Sequence, residues 1–319
     1  MKVDILVRFY YDNAYAHHFL NYAFGLGFDH IHVLFQSGQP PLDIAHPNVT
    51  VYPHNYSGNG VLHKLNSIVS TDADWLLICD TDEYLYLKDY ANIQEFCATI
   101  PADVDQVQFH WAMVEHFQIT IGDKDLFDCL ATHTLYSNPH RKSMIRLKGL
   151  GIKQIPKINP HTCFGLPNSY IWNQRCKPSA LNHVEVEMYQ HTNYPFLIHF
   201  HTRSLQDMFL KGMVTNLKGK QFDMVKFAKD ISETNYASIQ KYTKVYLPFD
   251  HGSKRPIPMN IQLCGSHIDS KAELAQFEHV CKRHNLPYES FQEMLVYFEQ
   301  TYSALFRKNP TEDTNTRID

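Results

Sequence analysis

The sequence predicts an α/β fold built on a mostly parallel sheet covered by helices, and three observations carry that prediction. Apolar runs of strand length recur through the first hundred residues, at Val3 to Phe9, Ile31 to Phe35, Val49 to Tyr52 and Trp75 to Cys79. The last of these, WLLIC, is apolar on both faces, as strands buried between two layers are. Helical periodicity falls between the runs, and strand–helix alternation is the signature of this class.

Each element has a local reason. Val3 to Phe9 is the opening strand. Asp12 or Asn13 can cap the helix that follows, whose apolar positions include Phe19, Leu20, Ala23, Phe24 and Leu26. Gly25 and Gly27 fit its C-terminal end. Residues 60–70 read as a second helix, with Val61, Leu62, Leu65, Ile68 and Val69 on one side. From 103 to 200 the pattern changes to short strand-like runs such as Val104 to Trp111 and Ser143 to Leu147. Residues 205–306 read mainly as helix, ending in a long amphipathic pattern from Tyr288 to Phe306. The run from Lys308 to Asp319 carries almost no apolar residue and is expected to be disordered. No Pro/Gly-rich linker divides the chain. The simplest organisation is a domain over 1–215, a helical C-terminal extension over 216–307 packed on it, and a tail over 308–319.

Composition excludes several classes. With 44% hydrophobic and 19% charged residues, the 319-residue chain can bury a substantial core. A formal charge of −4 gives no footprint for wrapping nucleic acid. Seven cysteines without a C-x-x-C spacing support neither a zinc ribbon nor a disulfide framework. The N-terminal apolar run is too short for a signal peptide, and Asp4 interrupts it. Without a secretory route the sequons at Asn48 and Asn55 read as chance matches, and a cytoplasmic location is the expectation. No run of about 18 apolar residues suggests a membrane span, although peripheral membrane association stays compatible with the sequence.

The sharpest chemical feature is WLLICDTDEYLYL, residues 75–87, where Asp80, Asp82 and Glu83 follow directly on a buried strand. A carboxylate at such an edge is costly unless it is solvated, paired or bound to a cation. Two Asp one residue apart can both face a crevice around a turn, and hard cations such as Mg²⁺ or Mn²⁺ take oxygen ligands while leaving positions for phosphate oxygens. A solvated turn with helix-capping acids is the plainer alternative.

Four pieces in order resemble the GT-A glycosyltransferases, near glycosyltransferase families 2 and 92, across roughly residues 3–215. They are the opening strand with Arg8 followed by Asp12-Asn13 and LGFDHIHVLF; DWLLICDTDEYL; RKSMIRLKGL with the later His161; and HFHTRSLQDMFLKG at 199–212. The family's Asn-Glu pair after the first strand is replaced here by Tyr10-Tyr11-Asp12-Asn13, and Phe200 stands where Tyr is usual.

The resemblance implies a Rossmann-like mixed sheet of the nucleotide-diphospho-sugar transferase type. It implies transfer of a sugar from a nucleotide-sugar donor, UDP-hexose being commonest, to a glycan, lipid-linked or protein acceptor, with inversion. Asp80, Asp82 and His199 would hold a divalent cation, Mn²⁺ or Mg²⁺, with His201 as the substitute for His199. Arg8, Asp12, Asp80, Lys142, His161, Arg203 and Lys211 would serve the donor, with Arg146 a further cation near Lys142. Arg8 can instead pair with an acid such as Asp82. An inverting reaction needs a general base; Glu115 is the first choice, Asp128 another, and Glu83 either acts there or anchors the metal turn. The aromatic stretch Trp111 to Phe117 lines an acceptor pocket or simply packs the core. Two other readings compete. One is a haloacid-dehalogenase-type phosphatase with Asp80 as nucleophile; the other is a binding module that kept the fold and lost turnover.

Overall fold

The structure is a computed structural model, and it describes residues 1–36, 44–54, 72–87, 89–114, 135–148, 195–201 and 270–283. Short pieces at 157–159, 162–164, 169–171, 174–176 and 246–247, and isolated positions including 42, 166, 203, 207, 210 and 296, complete the description. The sequence-expected helix over 60–70 and most of the C-terminal extension lie outside these residues.

The opening strand forms as expected, as β1 (Val3–Phe9). A 3-10 turn (Asn13–Tyr15) leads into α1 (Ala16–Gly25). Neither Asp12 nor Asn13 caps α1: Tyr15 stands at its N-cap, and the Asp12 carboxylate is held by Tyr10 N–H and Arg203. Gly27 lies just beyond the helix at φ 91°, the left-handed conformation that closes a helix end. Then come β2 (His30–Gln36), β3 (Val49–His54), β4 (Trp75–Asp80) and β5 (Glu83–Tyr86). A short helix α2 (Ile93–Ala98) follows. Its start is a capping box: Asn92 accepts from Glu95 N–H, and the Glu95 carboxylate accepts from Ala91 N–H.

Later strands are β6 (Gln106–Val114), β7 (Leu135–Arg146), β8 (Lys157–Asn159), β9 (Thr162–Phe164), β10 (Ser169–Ile171), β11 (Gln174–Cys176), β12 (Phe196–His199) and β13 (Tyr246–Leu247). The helix α3 (Ser270–Arg283) comes last among the described elements. β7 is twelve residues long and starts eight residues before the run expected at Ser143. Its first half carries Asn138, Pro139 and His140, which hide a strand from an apolar-run criterion.

Eleven strands form one mixed α/β sheet, with the path β11-β10-β6-β7-β4-β1-β2-β3. The run β4-β1-β2-β3 is parallel. β7 lies antiparallel between β4 and β6, which makes the sheet mixed. β12 bridges the layer, parallel to β6 and antiparallel to β5. One face of the parallel strands buries Val3, Ile5, Val7, Phe9, Ile31, Val33, Trp75 and Leu77 against Phe19, Leu20 and Ala23 of α1 and Ile93 and Phe96 of α2. The other face buries Leu6, Leu34, Leu76, Ile78, Ile145 and Leu147. Two apolar faces explain the continuous hydrophobic run of β4. Cys79, Cys97 and Cys281 are buried free thiols. Among the described residues no helix is long and apolar enough to cross a membrane.

Candidate functional site

β1 has β2 on one side and β4 on the other, so the connections leaving β1 and reaching β4 diverge around it. That divergence opens a crevice beyond the carboxyl ends of β1 and β4, where open α/β sheets bind ligands. The register places Arg8, near the end of β1, beside Asp80, the last residue of β4. Arg8 grips Asp80 with two parallel bonds, Nε to Oδ1 at 2.5 Å and Nη2 to Oδ2 at 2.6 Å. Lys142, on β7, reaches the same carboxylate from below, Nζ to Oδ2 at 2.6 Å. It also lies 3.2 Å from Glu83 Oε1. Arg8 and Asp80 keep about a quarter of their side chains exposed (25% and 27%), whereas Lys142 and Glu83 are sealed in at 1% each. Burial works to raise the Asp80 carboxyl, but the charges of Arg8 and Lys142 outweigh it and hold it well below the usual carboxylate range. Burial pushes Glu83 the other way, up to about 7, against the pull of Lys142. Glu83 also accepts from Asp80 N–H at 2.9 Å, which ties the turn between β4 and β5.

A second group forms where β12 meets that turn. β12 pairs antiparallel with β5, which sets His199 directly opposite Glu83. Phe200 N–H donates to the Asp82 carbonyl at 2.8 Å and fixes the turn to the strand end. The His199 Nε2 atom then lies 3.6 Å from Asp82 Oδ1. One donor atom each from Asp82, Glu83 and His199 falls within a 4.8 Å cluster. Trp111 of β6 lies against the His199 ring, centroids 4.2 Å apart, and stacks on His140 at 5.0 Å. His201 stands 5.7 Å from His199. His199 Nδ1 is buried and makes no hydrogen bond.

These residues fit a divalent cation. Two carboxylates and an imidazole form a donor set that Mn²⁺ accepts, and the unbonded Nδ1 leaves the His199 ring without the second hydrogen bond that would fix its tautomer. The set differs from the one that the sequence suggested. Asp80 is taken up by Arg8 and Lys142, and Glu83 stands in the cluster with Asp82 and His199.

The structure therefore gathers Arg8, Asp80, Asp82, Glu83, Lys142 and His199 at one crevice. Arg8 pairs with Asp80 rather than Asp82. Arg203 and Asp12 are found paired with each other. The Arg203 guanidinium is fully buried, bonds Asp12 and both oxygens of Asp207, and lies 3.6 Å over the Tyr15 ring. Burial would lower the guanidinium pKa, but Asp207 and Asp12 more than offset it and raise it. Arg146 faces away from this chemistry, bonding the Val104 and Pro101 carbonyls and covering the Trp75 ring. Glu115, Asp128, His161 and Lys211 lie outside the described residues. The adjacent His17 and His18 part company: His17 is exposed, while His18 is buried and hydrogen-bonded to the Tyr84 hydroxyl at 3.1 Å. Sequence reasoning missed Asp207, although its spacing four residues after Arg203 was a legible ion-pair signal.

The chain matches no established protein family, and no curated protein matches it. Solved structures of similar fold include a CMP-2-keto-3-deoxy-manno-octonic acid synthetase complexed with CTP, at 10% identity, covering 50% of this chain and 80% of that one with a TM-score of 0.29. HddC from Yersinia pseudotuberculosis gives 11% identity, 54% and 90% coverage and a TM-score of 0.31. The galactosyltransferase LgtC, solved with donor and acceptor sugar analogues, gives 14% identity, 48% and 62% coverage and a TM-score of 0.24. At such scores the likeness adds no weight of its own, and the fold class rests on the sheet order and register described above.

Proposed function

We propose that the chain is a glycosyltransferase that uses a divalent cation to take a hexose from a nucleoside-diphosphate sugar, UDP-hexose first among them, and pass it to a glycan, lipid-linked or protein acceptor with inversion. One observation carries the reading: the Asp82–Glu83–His199 group and the Arg8–Lys142 cations share one crevice beyond β1 and β4. A diphosphate is a poor leaving group until its developing charge is neutralised. Asp82, Glu83 and His199 would hold the cation, which supplies that neutralisation when bound. The chain's own residues prepare the rest. Asp80 holds the Arg8 guanidinium and the Lys142 ammonium at the crevice, so two fixed positive charges stand beside the cluster. Glu83 also anchors the turn: one carboxylate oxygen accepts from Asp80 N–H, while Oε1, 3.2 Å from Lys142, makes no hydrogen bond and can turn to the cation. The acceptor proton is assigned to Glu115. The chain would act in the cytoplasm on a membrane-linked or soluble acceptor.

The test is thermal melting with Mn²⁺ and a panel of nucleoside diphosphates, wild type against Asp82→Ala. Ligand at about 100 times its dissociation constant stabilises the native state by roughly 2.7 kcal/mol. A rise with UDP that requires both Mn²⁺ and Asp82 is expected. A melting temperature unmoved by every nucleotide, or moved equally without metal and in Asp82→Ala, would sink the proposal.

A further inference from the structure

We infer that the C-terminal helix α3 holds the loop after β1 in its working conformation, with Gln276 as the positioning residue. This rests on the reading that the crevice beyond β1 and β4 takes a nucleoside diphosphate, because that loop forms one wall of the crevice.

The loop is strained. Tyr11 has φ 60°, the one positive φ at a non-glycine position among the described residues. A side chain other than Gly, Asn or Asp rarely adopts this conformation, and the surrounding structure must enforce it. From within the sheet layer, Asp12 accepts from Tyr10 N–H at 3.0 Å through its side chain and from Tyr15 N–H at 3.0 Å through its carbonyl. A further restraint comes from more than 250 residues away. α3 packs on the 3-10 turn, and its Ala272 rests on Ala14 and Tyr15. Its buried face carries Phe277, Val280 and Cys281, with one amide, Gln276, only 1% exposed. In the amide orientation that satisfies both neighbours, Gln276 donates to the Tyr11 carbonyl at 3.0 Å and accepts from Asn13 N–H at 3.0 Å. Arg283 Nη1 donates to the Tyr11 hydroxyl at 3.3 Å.

A buried amide on an otherwise apolar helix face is expensive unless both its ends are bonded. Here the two ends bond the two peptide groups that flank Asp12, and the first of them, joining Tyr11 to Asp12, takes its direction from the left-handed turn at Tyr11. If Tyr11 relaxed to an ordinary φ, its carbonyl would swing and the donor bond would break. Gln276 therefore fixes the wall of the crevice from the C-terminal region.

The experiment uses the full chain and Gln276→Met, which keeps the packing volume and removes both bonds. UDP affinity in the presence of Mn²⁺ is measured by calorimetry well below the melting temperature, together with amide hydrogen exchange. The expected result is a dissociation constant raised about tenfold, the equivalent of one or two lost hydrogen bonds. Exchange should accelerate at Tyr10 to Tyr15 while α2 and β2 keep wild-type rates. Val280→Ala loosens the same helix face without touching a polar group, and should lower the melting temperature yet leave affinity unchanged. If Gln276→Met does not fold, Gln276→Leu, which is neutral and also removes both bonds, is measured in its place. Wild-type affinity and wild-type exchange in the folded Gln276 variant would overturn the inference. So would an equal loss of affinity in Val280→Ala. A wild type that ignores every nucleotide, beside a variant with faster loop exchange, refutes the functional reading and leaves the clamp standing.

Discussion

Replacing Arg203 with Met decides what this residue is for. The resemblance to glycosyltransferases assigns it to the donor diphosphate, whereas the structure buries its guanidinium completely between Asp12 and Asp207. Asp12 keeps 7% of its side chain exposed and Asp207 1%, so neither carboxylate can recover its hydration when the cation is removed. Removing one partner of a buried pair costs about 3–5 kcal/mol, because the orphaned charge stays inside. Loss of the stack on Tyr15 adds to this. For a chain of this size the change corresponds to a fall of about 5–7 °C in melting temperature. The assay is ligand-free thermal melting by circular dichroism, followed by a urea titration for the free energy. The double variant Arg203→Met/Asp207→Asn removes one orphaned charge and should regain part of the loss, which a cycle of single and double variants measures. A stability loss below about 1 kcal/mol, combined with abolished nucleotide response, would refute the reasoning and return Arg203 to the donor.

Three further outcomes follow from the same geometry. Gly27→Ala should lower stability by about 1–2 kcal/mol in a denaturant titration, since φ is 91° and the new Cβ would stand 2.7 Å from Gln94 Oε1; an unchanged midpoint would show that the helix end relaxes freely. His110 should make the fold acid-sensitive. Burial holds its pKa down to about 4 from the ordinary 6.5, so at neutral pH both states are uncharged, and between pH 6.5 and 4 only the unfolded chain takes up the proton. Stability therefore drains as pH falls through that window, by about 3 kcal/mol in total, and the gap between wild type and His110→Phe should narrow by that amount; a gap constant with pH would contradict it. Asp80→Asn and Asp82→Asn should behave differently. The first frees the tightly held Arg8 and Lys142 and costs roughly 2 kcal/mol in the ligand-free protein, while the second keeps the Arg8 and Lys142 pairs with Asp80 and removes the Mn²⁺ response. Equal behaviour in both assays would count against the division of labour.

The fold was legible where burial alone decides structure. β4 is apolar on both faces because the sheet is covered on both faces, β1 is apolar on the face that meets α1, and the boundaries of both could be read to within a residue. α2 carried a capping-box signal in Asn92 and Glu95 and could have been found by it. β7 could not be found by apolarity, because Pro139, His140, Arg141 and Lys142 occupy a strand held by its neighbours β6 and β4. Lys142 is tolerated there only because it reaches Asp80 and Glu83. Its place in the sequence shows a charge at a strand position, but its partners lie some sixty residues away and no local pattern names them.

The candidate site shows the same limit at closer range. The D-x-D-E spacing announced a carboxylate cluster, but it treated Asp80 and Asp82 as equivalents. They differ because β4 ends at Asp80. Inside the strand register, Asp80 stands beside Arg8, and an arginine near the end of a buried strand needs an acid on the neighbouring strand to hold it. Asp82 lies two residues on, in the turn that Phe200 N–H ties to β12, and there the neighbouring side chain is His199. One residue of separation is enough to give the first carboxylate two cations as partners and the second an imidazole. The arginine beside Asp80, the lysine that shares its carboxylate and the histidine across from Asp82 therefore give two identical side chains different surroundings, and only the pairing of β1 with β4 and of β5 with β12 reveals which is which.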